Sequence, residues 1–430
     1  MSRRIGFWSV FALVTGSQIG SGVFMSPATL APYGMWGILG WVISGFGALA
    51  LAFVFSELCT RFPQTGGPHV YVKEAFGRRA AFFTGWTYWI VSFVSTTAVI
   101  VTSVGYLSPL LPFEQGIFYI ILEFALLGAI VLLNLRGVKA AGHAEFFLTL
   151  LKFIPLLVMP ALALFYFDAS NISMSPAALE MPISSVLGHV VLLTLWGFIG
   201  VESATTAAGS VINPSKTIPR AIIFGTLSVA LIYMFCSIGI MGLIPGAELM
   251  SSRAPFVDAA AYLFKGNWHL LISVVASVVC LGTLNAWILT SGQIALGLAE
   301  DNLLPQFFAR TNKAHAPYWG ILVSSFGIAP LLILTNSDSL AQQITDLIDI
   351  SVISFLFVYL ACALGLLKLL RDEKKLKISV ASVSACVAII FCSFVIYQTP
   401  FTTLLVSSLF TLSGLPMYWR LRAKAPRAQI

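Results

Sequence analysis

Apolar residues come in long runs along this chain, and polar residues are confined to the short intervals between them. The runs lie near 7–31, 36–58, 81–107, 113–134, 144–167, 185–209, 220–243, 268–297, 317–336, 345–369, 378–396 and 399–419. A helix crossing the hydrocarbon core of a bilayer needs about 20 residues, and each run is long enough. The pattern predicts an all-α membrane protein of twelve transmembrane helices, with residues 1–430 forming a single polytopic domain. Composition agrees: 58% of residues are hydrophobic and 10% charged, against roughly 25% charged in a soluble domain. No interval is polar enough to form a separate soluble domain.

Two runs are interrupted from within. "GSQIGSGVFMSPATL", residues 16–30, crowds Gly16, Ser17, Gln18, Gly20, Ser21 and Gly22 into the first span, although glycine costs a helix about 1 kcal/mol relative to alanine. "TLWGFIGVESATTAAG", residues 194–209, puts Gly197, Gly200 and Glu202 in the sixth. Gly16 and Gly20 would also suit close helix packing, so the first segment alone reads equally well as a packing face. The second tips the balance, because a carboxylate at membrane depth costs about 3 kcal/mol on insertion scales and marks a pathway or a partner. Unwound backbone survives in a bilayer only where protein buries it or a wet cavity adjoins it.

Breaks in spans one and six are where two inverted five-helix repeats, about 7–167 and 185–369, would place paired discontinuous helices around a binding site; two further helices follow at about 378–419. The free N–H groups of the half-helix after a break attract an anion, and the exposed carbonyls before it attract a cation. An amino acid carries both charges. The expectation is that N–H groups around Ser21 and Gly22 hold an α-carboxylate and carbonyls near Trp196 to Ile199 take the ammonium.

The net charge of +7 does not point to nucleic acid, because the cations follow topology. Of 24 Lys and Arg, all but Arg253, Lys265 and Lys152 fall at the termini and in alternate loops. The positive-inside rule then puts both termini in the cytoplasm and the chain in the cytoplasmic (inner) membrane, with lipid as its surroundings. "MSRRIGFWSVFALV" begins like an export signal, but its apolar run continues to Met25 and further spans follow. Cys59, Cys236, Cys280, Cys362, Cys386 and Cys392 lie in or at the ends of spans and read as small core residues. Glu123 stands alone on the fourth span and would face a partner protomer, as in a homodimer, or lipid headgroups. Asp346 and Asp349 would cap the start of the tenth span. His69, His143, His189, His269 and His315 form no ligand cluster. With no nucleotide motif, hydrolytic triad or metal spacing, the chain reads as a non-enzyme without a cofactor.

The segments "GSGVFMSPATLA", "FPQTGGPHVYVKEAFG", "LTLWGFIGVESATTAAGSVINPSKTIPRAI", "RAPFVDAA" and "LAEDNLLPQFFARTNKAHAPYWGIL" resemble the amino acid, polyamine and organocation superfamily, and within it the bacterial arginine/agmatine antiporters. The resemblance implies a LeuT-like fold and alternating-access transport of amino acids or related amines, by exchange. By position it implies substrate contacts at Ile19, Ser21, Gly22, Ile199 and Ser351, an aromatic lid at Trp196, and a floor at Trp287. It implies a proton-sensing gate at Tyr88, Glu202 and Tyr359.

Two departures weaken the case for arginine. Thr96 and Ser17 stand where the arginine exchangers carry asparagines, one of which contacts the guanidinium, and a buried donor without a partner costs about 1 to 3 kcal/mol. A third departure is Lys152, in "FFLTLLKFIPLL", with no carboxylate within one turn. Counted from a helix start at His143, it sits about 13 Å along the axis. The bland reading is a lysine snorkelling to the interface. Other branches of the superfamily carry a lysine here in place of a sodium ion, which would make Lys152 a built-in cation bridging helix one to helices five and eight and would open an alternative, proton-coupled symport. A ligand sensor on a transporter fold is the remaining rival.

Overall fold

The computed structural model describes residues 4–111, 116–252, 254–264, 266–334, 340–374 and 377–424. Arg3, Arg253, Lys265, Lys375 and Arg427, counted above in the charge pattern, lie outside the described residues. The described residues form helices and no strands, apart from two isolated bridges, Ile5 to Val211 and Tyr33 to Met174. Among the described residues, eleven helical stretches are long and apolar enough to cross a membrane, and a shorter apolar helix, Tyr318–Leu334, falls on the ninth predicted run. The chain is a multi-pass membrane protein with a LeuT-like fold.

In chain order the spans are α1a (Phe7–Gln18) and α1b (Ser21–Leu30), α2 (Met35–Arg61), α3 (Arg78–Leu107), α4 (Ile117–Leu135), α5 (Val138–Ala163) and α6a (Ile183–Leu195), which is followed by the 3-10 segment α6b (Ser203–Ser210). Then come α7 (Pro214–Leu243), α8 (Trp268–Glu300), α9 (Tyr318–Leu334), α10 (Leu340–Asp372), α11 (Val380–Gln398) and α12 (Phe401–Leu412). Half-helix α1a packs against α5, α7 and α8; α3 lies along α8, and α2 along α7. Span α12 belongs to the periphery and is mostly exposed.

Both interruptions are real breaks. Between α1a and α1b the chain is extended at Ile19 (φ −81°, ψ 96°) and Gly20 (φ −136°, ψ −140°). Between α6a and α6b it passes through one 3-10 turn, an extended Ile199, and Gly200 at φ +105°. A side chain at Gly200 would be strained by that φ, and its Cβ would sit 2.7 Å from Ser17 Oγ.

Some sequence expectations need correction. Span α5 begins at Val138 rather than His143, behind Gly137, so Lys152 lies about 21 Å along the helix, well beyond the reach of a snorkelling side chain. Helix α10 already includes Leu340, so the backbone at Asp346 and Asp349 is inside the helix and not at its cap. Glu123 is 5% exposed and faces the protein rather than lipid. Five of the cysteines are buried, but Cys386 is exposed.

The short helix Pro68–Phe76, between α2 and α3, packs against α3 and α10. It is pinned to the end of α8 by a cluster in which Asp301 accepts from Lys73 at 2.5 Å and lies 3.3 Å from the buried His69. Burial would raise the Asp301 carboxyl, but the Lys73 hydrogen bond and the closeness of His69 and Lys73 outweigh it and hold the pKa down to about 2. A depressed acid stabilises the fold above its unfolded pKa and loses that contribution as pH falls through the folded value. The clamp is therefore expected to hold throughout pH 5–8 and to release between about pH 4 and pH 2. Asp301→Asn should raise amide hydrogen exchange in residues 65–76 at pH 7; unchanged protection would show that apolar packing alone holds the segment.

Candidate functional site

The break in α1 orphans the carbonyls of its last turn, and the surrounding helices take them one by one. Thr15 O accepts from Ile19 N at 2.8 Å. Gly16 O and Ile19 O accept from Lys152 Nζ of α5 at 2.8 and 2.9 Å. Thr283 Oγ1 of α8 lies 2.9 Å from Gly16 O and 2.6 Å from Ile19 O, donates its one proton to either, and accepts from Lys152 Nζ at 3.1 Å. Ser17 O accepts from Trp287 Nε1 at 3.1 Å, and Gln18 O from the Tyr233 hydroxyl at 2.8 Å. Lys152 is fully buried and snorkels nowhere.

A residue missed in the sequence completes this cluster. Glu145, also fully buried, lies 3.5 Å from Lys152 Nζ through Oε1. Its Oε1 accepts from Thr149 Oγ1 at 3.3 Å and its Oε2 from Asn285 Nδ2 at 2.8 Å. Asn285 in turn accepts from Asn134 Nδ2 of α4 at 3.0 Å. The signal was present: Glu145 precedes Lys152 by seven residues, two turns on the same helix face. A search confined to one turn passes over it. Gly16 is required here, because a Cβ would meet Glu145 Oε1 at 1.9 Å.

Beside this cluster is a small cavity lined by Ser17, Gln18, Gly20, Ser21, Gly22, Ser95, Val99, Trp196, Ile199, Thr283 and Trp287. Ser21, Gly22, Trp196, Ile199 and Trp287 thus meet at one point. Ile19 does not line it; its side chain is buried and its carbonyl is taken by Lys152. Thr96 does not either: its hydroxyl bonds back to Ser92 O at 2.6 Å, and Ser95 and Val99, one turn apart on α3, present the facing side. Ser351 also lies off the cavity, buried with no partner for Oγ. Two cavity-lining polar atoms, Ser21 Oγ and Gln18 Oε1, are buried without a hydrogen-bond partner.

Only Gly22 and Trp196 among the lining residues are partly exposed; the others are buried. The indole of Trp196 packs directly on the start of α1b, where a Cβ on Gly22 would lie 2.8 Å from Cδ1. Below the floor, Trp287 packs on Phe355 at 5.2 Å, which packs on Tyr359 at 6.2 Å and Tyr88 at 6.0 Å. The Tyr359 hydroxyl accepts from Gly200 N at 3.1 Å and donates to Glu202 Oε2 at 2.5 Å. Among the described residues, Glu202 Oε1 and the Tyr88 hydroxyl have no hydrogen-bond partner. Tyr88, Glu202 and Tyr359 therefore lie buried near one another and apart from the cavity, on the side toward the chain's N-terminus. Among the described residues, no group of His, Cys, Asp and Glu could hold a metal ion.

Comparison with known proteins decides the family. The amino acid permease family model matches residues 5–419. This chain belongs to that family. The permease is 30% identical to the putrescine transporter PotE of Haemophilus influenzae over 97% of both chains. It is 27% identical to PotE of Escherichia coli K12, over 97% of this chain and 96% of that protein. It is 29% identical to the cadaverine/lysine antiporter of Escherichia coli K12, over 96% of this chain and 92% of the relative. The permease is therefore a transporter and not an enzyme, and it falls within the amine-antiporter branch of the superfamily.

Breaking a buried pair by removing one partner costs about 3 to 5 kcal/mol. Lys152→Met should lower the thermal unfolding midpoint of the detergent-solubilised permease strongly, since it strands Glu145 and two carbonyls. Adding Glu145→Gln should recover part of the loss, with a coupling above about 1 kcal/mol in a double-mutant cycle. Additive losses would mean that the two side chains act independently.

Proposed function

We propose that the permease exchanges an amino acid for a related amine across the cytoplasmic membrane by alternating access, with both termini cytoplasmic. The observation that carries this reading is the asymmetry of the break in α1. The carbonyls before it are capped by side chains, while the N-terminus of α1b opens on the cavity at Ser21 and Gly22. A helix N-terminus carries about half a positive charge and free N–H donors, which suits a carboxylate. Gln18 Oε1, without a partner among the described residues, and the carbonyls near Trp196 to Ile199 would take an ammonium, and the faces of Trp196 and Trp287 would sheathe an aminoalkyl chain.

The cavity has a volume of about 20 Å³, room for about a single water. Substrate entry therefore requires movement, and Trp196 on Gly22 is the element that closes it on the partly exposed side. In this reading the broken helices of spans one and six rock against a scaffold formed by the other spans of the two five-helix repeats, about 7–167 and 185–369.

Lysine, ornithine and their decarboxylated diamines fit this lining better than arginine and agmatine do. A guanidinium needs paired acceptors in a fixed fork. Ser17 is already engaged with Val14 O, Gly200 O and Ser203, and Thr96 faces away. The relatives, named for putrescine and for cadaverine with lysine, support the same direction.

Counterflow in proteoliposomes tests this reading: vesicles loaded with lysine, ornithine, putrescine or cadaverine should accumulate labelled substrate from the same set, with weaker exchange of arginine and agmatine. Exchange confined to arginine and agmatine would reverse the substrate assignment, and uptake without any internal substrate would favour proton symport. Trp196→Ala should raise KM about tenfold or more while the protein still folds. Glu202→Gln should flatten the pH dependence of exchange; a mutant profile that overlays the wild type would move the proton sensor elsewhere. If Lys152→Ala spares exchange and abolishes uphill uptake, the lysine couples protons.

A further inference from the structure

On the side of the membrane that carries the N-terminus, a large groove opens between the start of α3, the connection from α8 to α9 and the helix Leu415–Lys424 that follows α12. Its walls are aromatic: Trp86 and Phe307 are open to it, backed by the buried Phe82 and Trp89. Its rim carries four exposed arginines, Arg78, Arg79, Arg420 and Arg422, and no Asp or Glu lines it. Arg78 reaches Asn302 O at 3.5 Å. Arg79, Arg420 and Arg422 make no ion pair among the described residues. The wall is held in place by other bonds: Trp86 Nε1 donates to Ser413 Oγ at 2.9 Å, Trp89 Nε1 to Ser324 Oγ at 3.0 Å, and Tyr418 packs against Phe82 and Phe83 at 5.3 Å.

The start of α3, the end of α8 and the end of α12 share one membrane side, because successive spans alternate in direction. The arginines therefore stand at headgroup level. Trp89, eleven residues into α3 from Arg78, lies about 16 Å deeper, at the depth of the acyl chains. We infer that this groove is a binding site for an anionic phospholipid, with its phosphate held by Arg79, Arg420 and Arg422 and its acyl chains along the aromatic wall. Guanidinium groups pair with phosphate through charge-assisted bonds, and basic pockets between spans bind acidic lipid headgroups.

Other occupants fit less well. Residues 423–430, "AKAPRAQI", bring Lys424 and Arg427 and no acidic side chain, so this tail would add to the positive charge. A second copy docked by twofold symmetry would set the same arginines against each other. Free phosphate would leave the aromatic wall unused.

The test is native mass spectrometry of the full-length permease in neutral detergent, titrated with phosphatidylglycerol and, separately, phosphatidylcholine. The wild type should retain phosphatidylglycerol selectively. Each arginine removed should weaken retention about fivefold, and Arg79→Ala, Arg420→Ala and Arg422→Ala together on the order of one hundredfold. Arg78 is left in place because it also contacts Asn302. Thermal unfolding in neutral detergent should be unchanged in the triple variant, and a control lacking Lys216, Arg220 and Lys377, cations on the same membrane side, should retain lipid normally. Equal retention by the triple variant, equal loss in the control, displacement of the lipid by inorganic phosphate at matched concentration, or a dimer mass in place of bound lipid would each overturn the inference.

Discussion

The structure depends on how the carbonyls at the break in α1 are satisfied. A helix interrupted at membrane depth exposes acceptors that neither lipid nor its own backbone can pair, and each would cost several kcal/mol if left bare. Here α5, α7 and α8 each contribute donors: Lys152, Tyr233, and Thr283 with Trp287. These side chains fix the end of α1a against three neighbouring helices. The same contacts leave α1b with its donors facing the cavity. In the proposed reading the binding chemistry is thus a by-product of how the break is stabilised, and a preference for a carboxylate would follow from what the scaffold has already consumed.

A second constraint is that the two breaks satisfy each other. Ser17 of α1a lies 3.1 Å from Gly200 O and 2.8 Å from Ser203 Oγ, and the hydroxyl of Tyr359 takes Gly200 N–H while holding Glu202. A movement of α6 that freed Gly200 would therefore disturb Ser17 and the Tyr359–Glu202 pair below Trp287 together. This physical linkage would let closure over substrate and opening of the opposite side exclude one another without a separate relay.

The spans and the two breaks, with Ser21 and Gly22 beside the first, were legible because they depend on local features: apolar length, glycine clusters, and a carboxylate inside a span; Trp196 and Trp287 were placed beside them by the family resemblance alone. What was not legible depends on rotation and register. Thr96 and Ser95 are neighbours in sequence, but a residue-to-residue turn of 100° puts Ser95 on the cavity and Thr96 against its own helix. Glu145 shares a helix face with Lys152 but lies two turns away, beyond a one-turn spacing, and its contacts with Gly16 and Asn285 come from other helices. Glu123 looked solitary along the chain, yet the three-dimensional packing of α4 turns it inward. Period and composition locate a break, whereas the partners that stabilise it come from helices far away in sequence.

Lys152 and Glu145 show what such partners must accomplish in a protein that moves. In the exchange cycle proposed here, α1a shifts relative to the scaffold, and a lysine paired only with Gly16 O and Ile19 O would then face hydrocarbon with its charge bare. Glu145 is on the same helix as Lys152, 3.5 Å from its ammonium, and is itself anchored by Asn285 of α8. The cation therefore keeps a partner whichever way α1a goes, and the energetic difference between the two states reduces to exchanging carbonyl contacts for a closer carboxylate. A small difference of that kind is what alternating access needs, because a state favoured by many kcal/mol would trap the carrier on one side of the membrane.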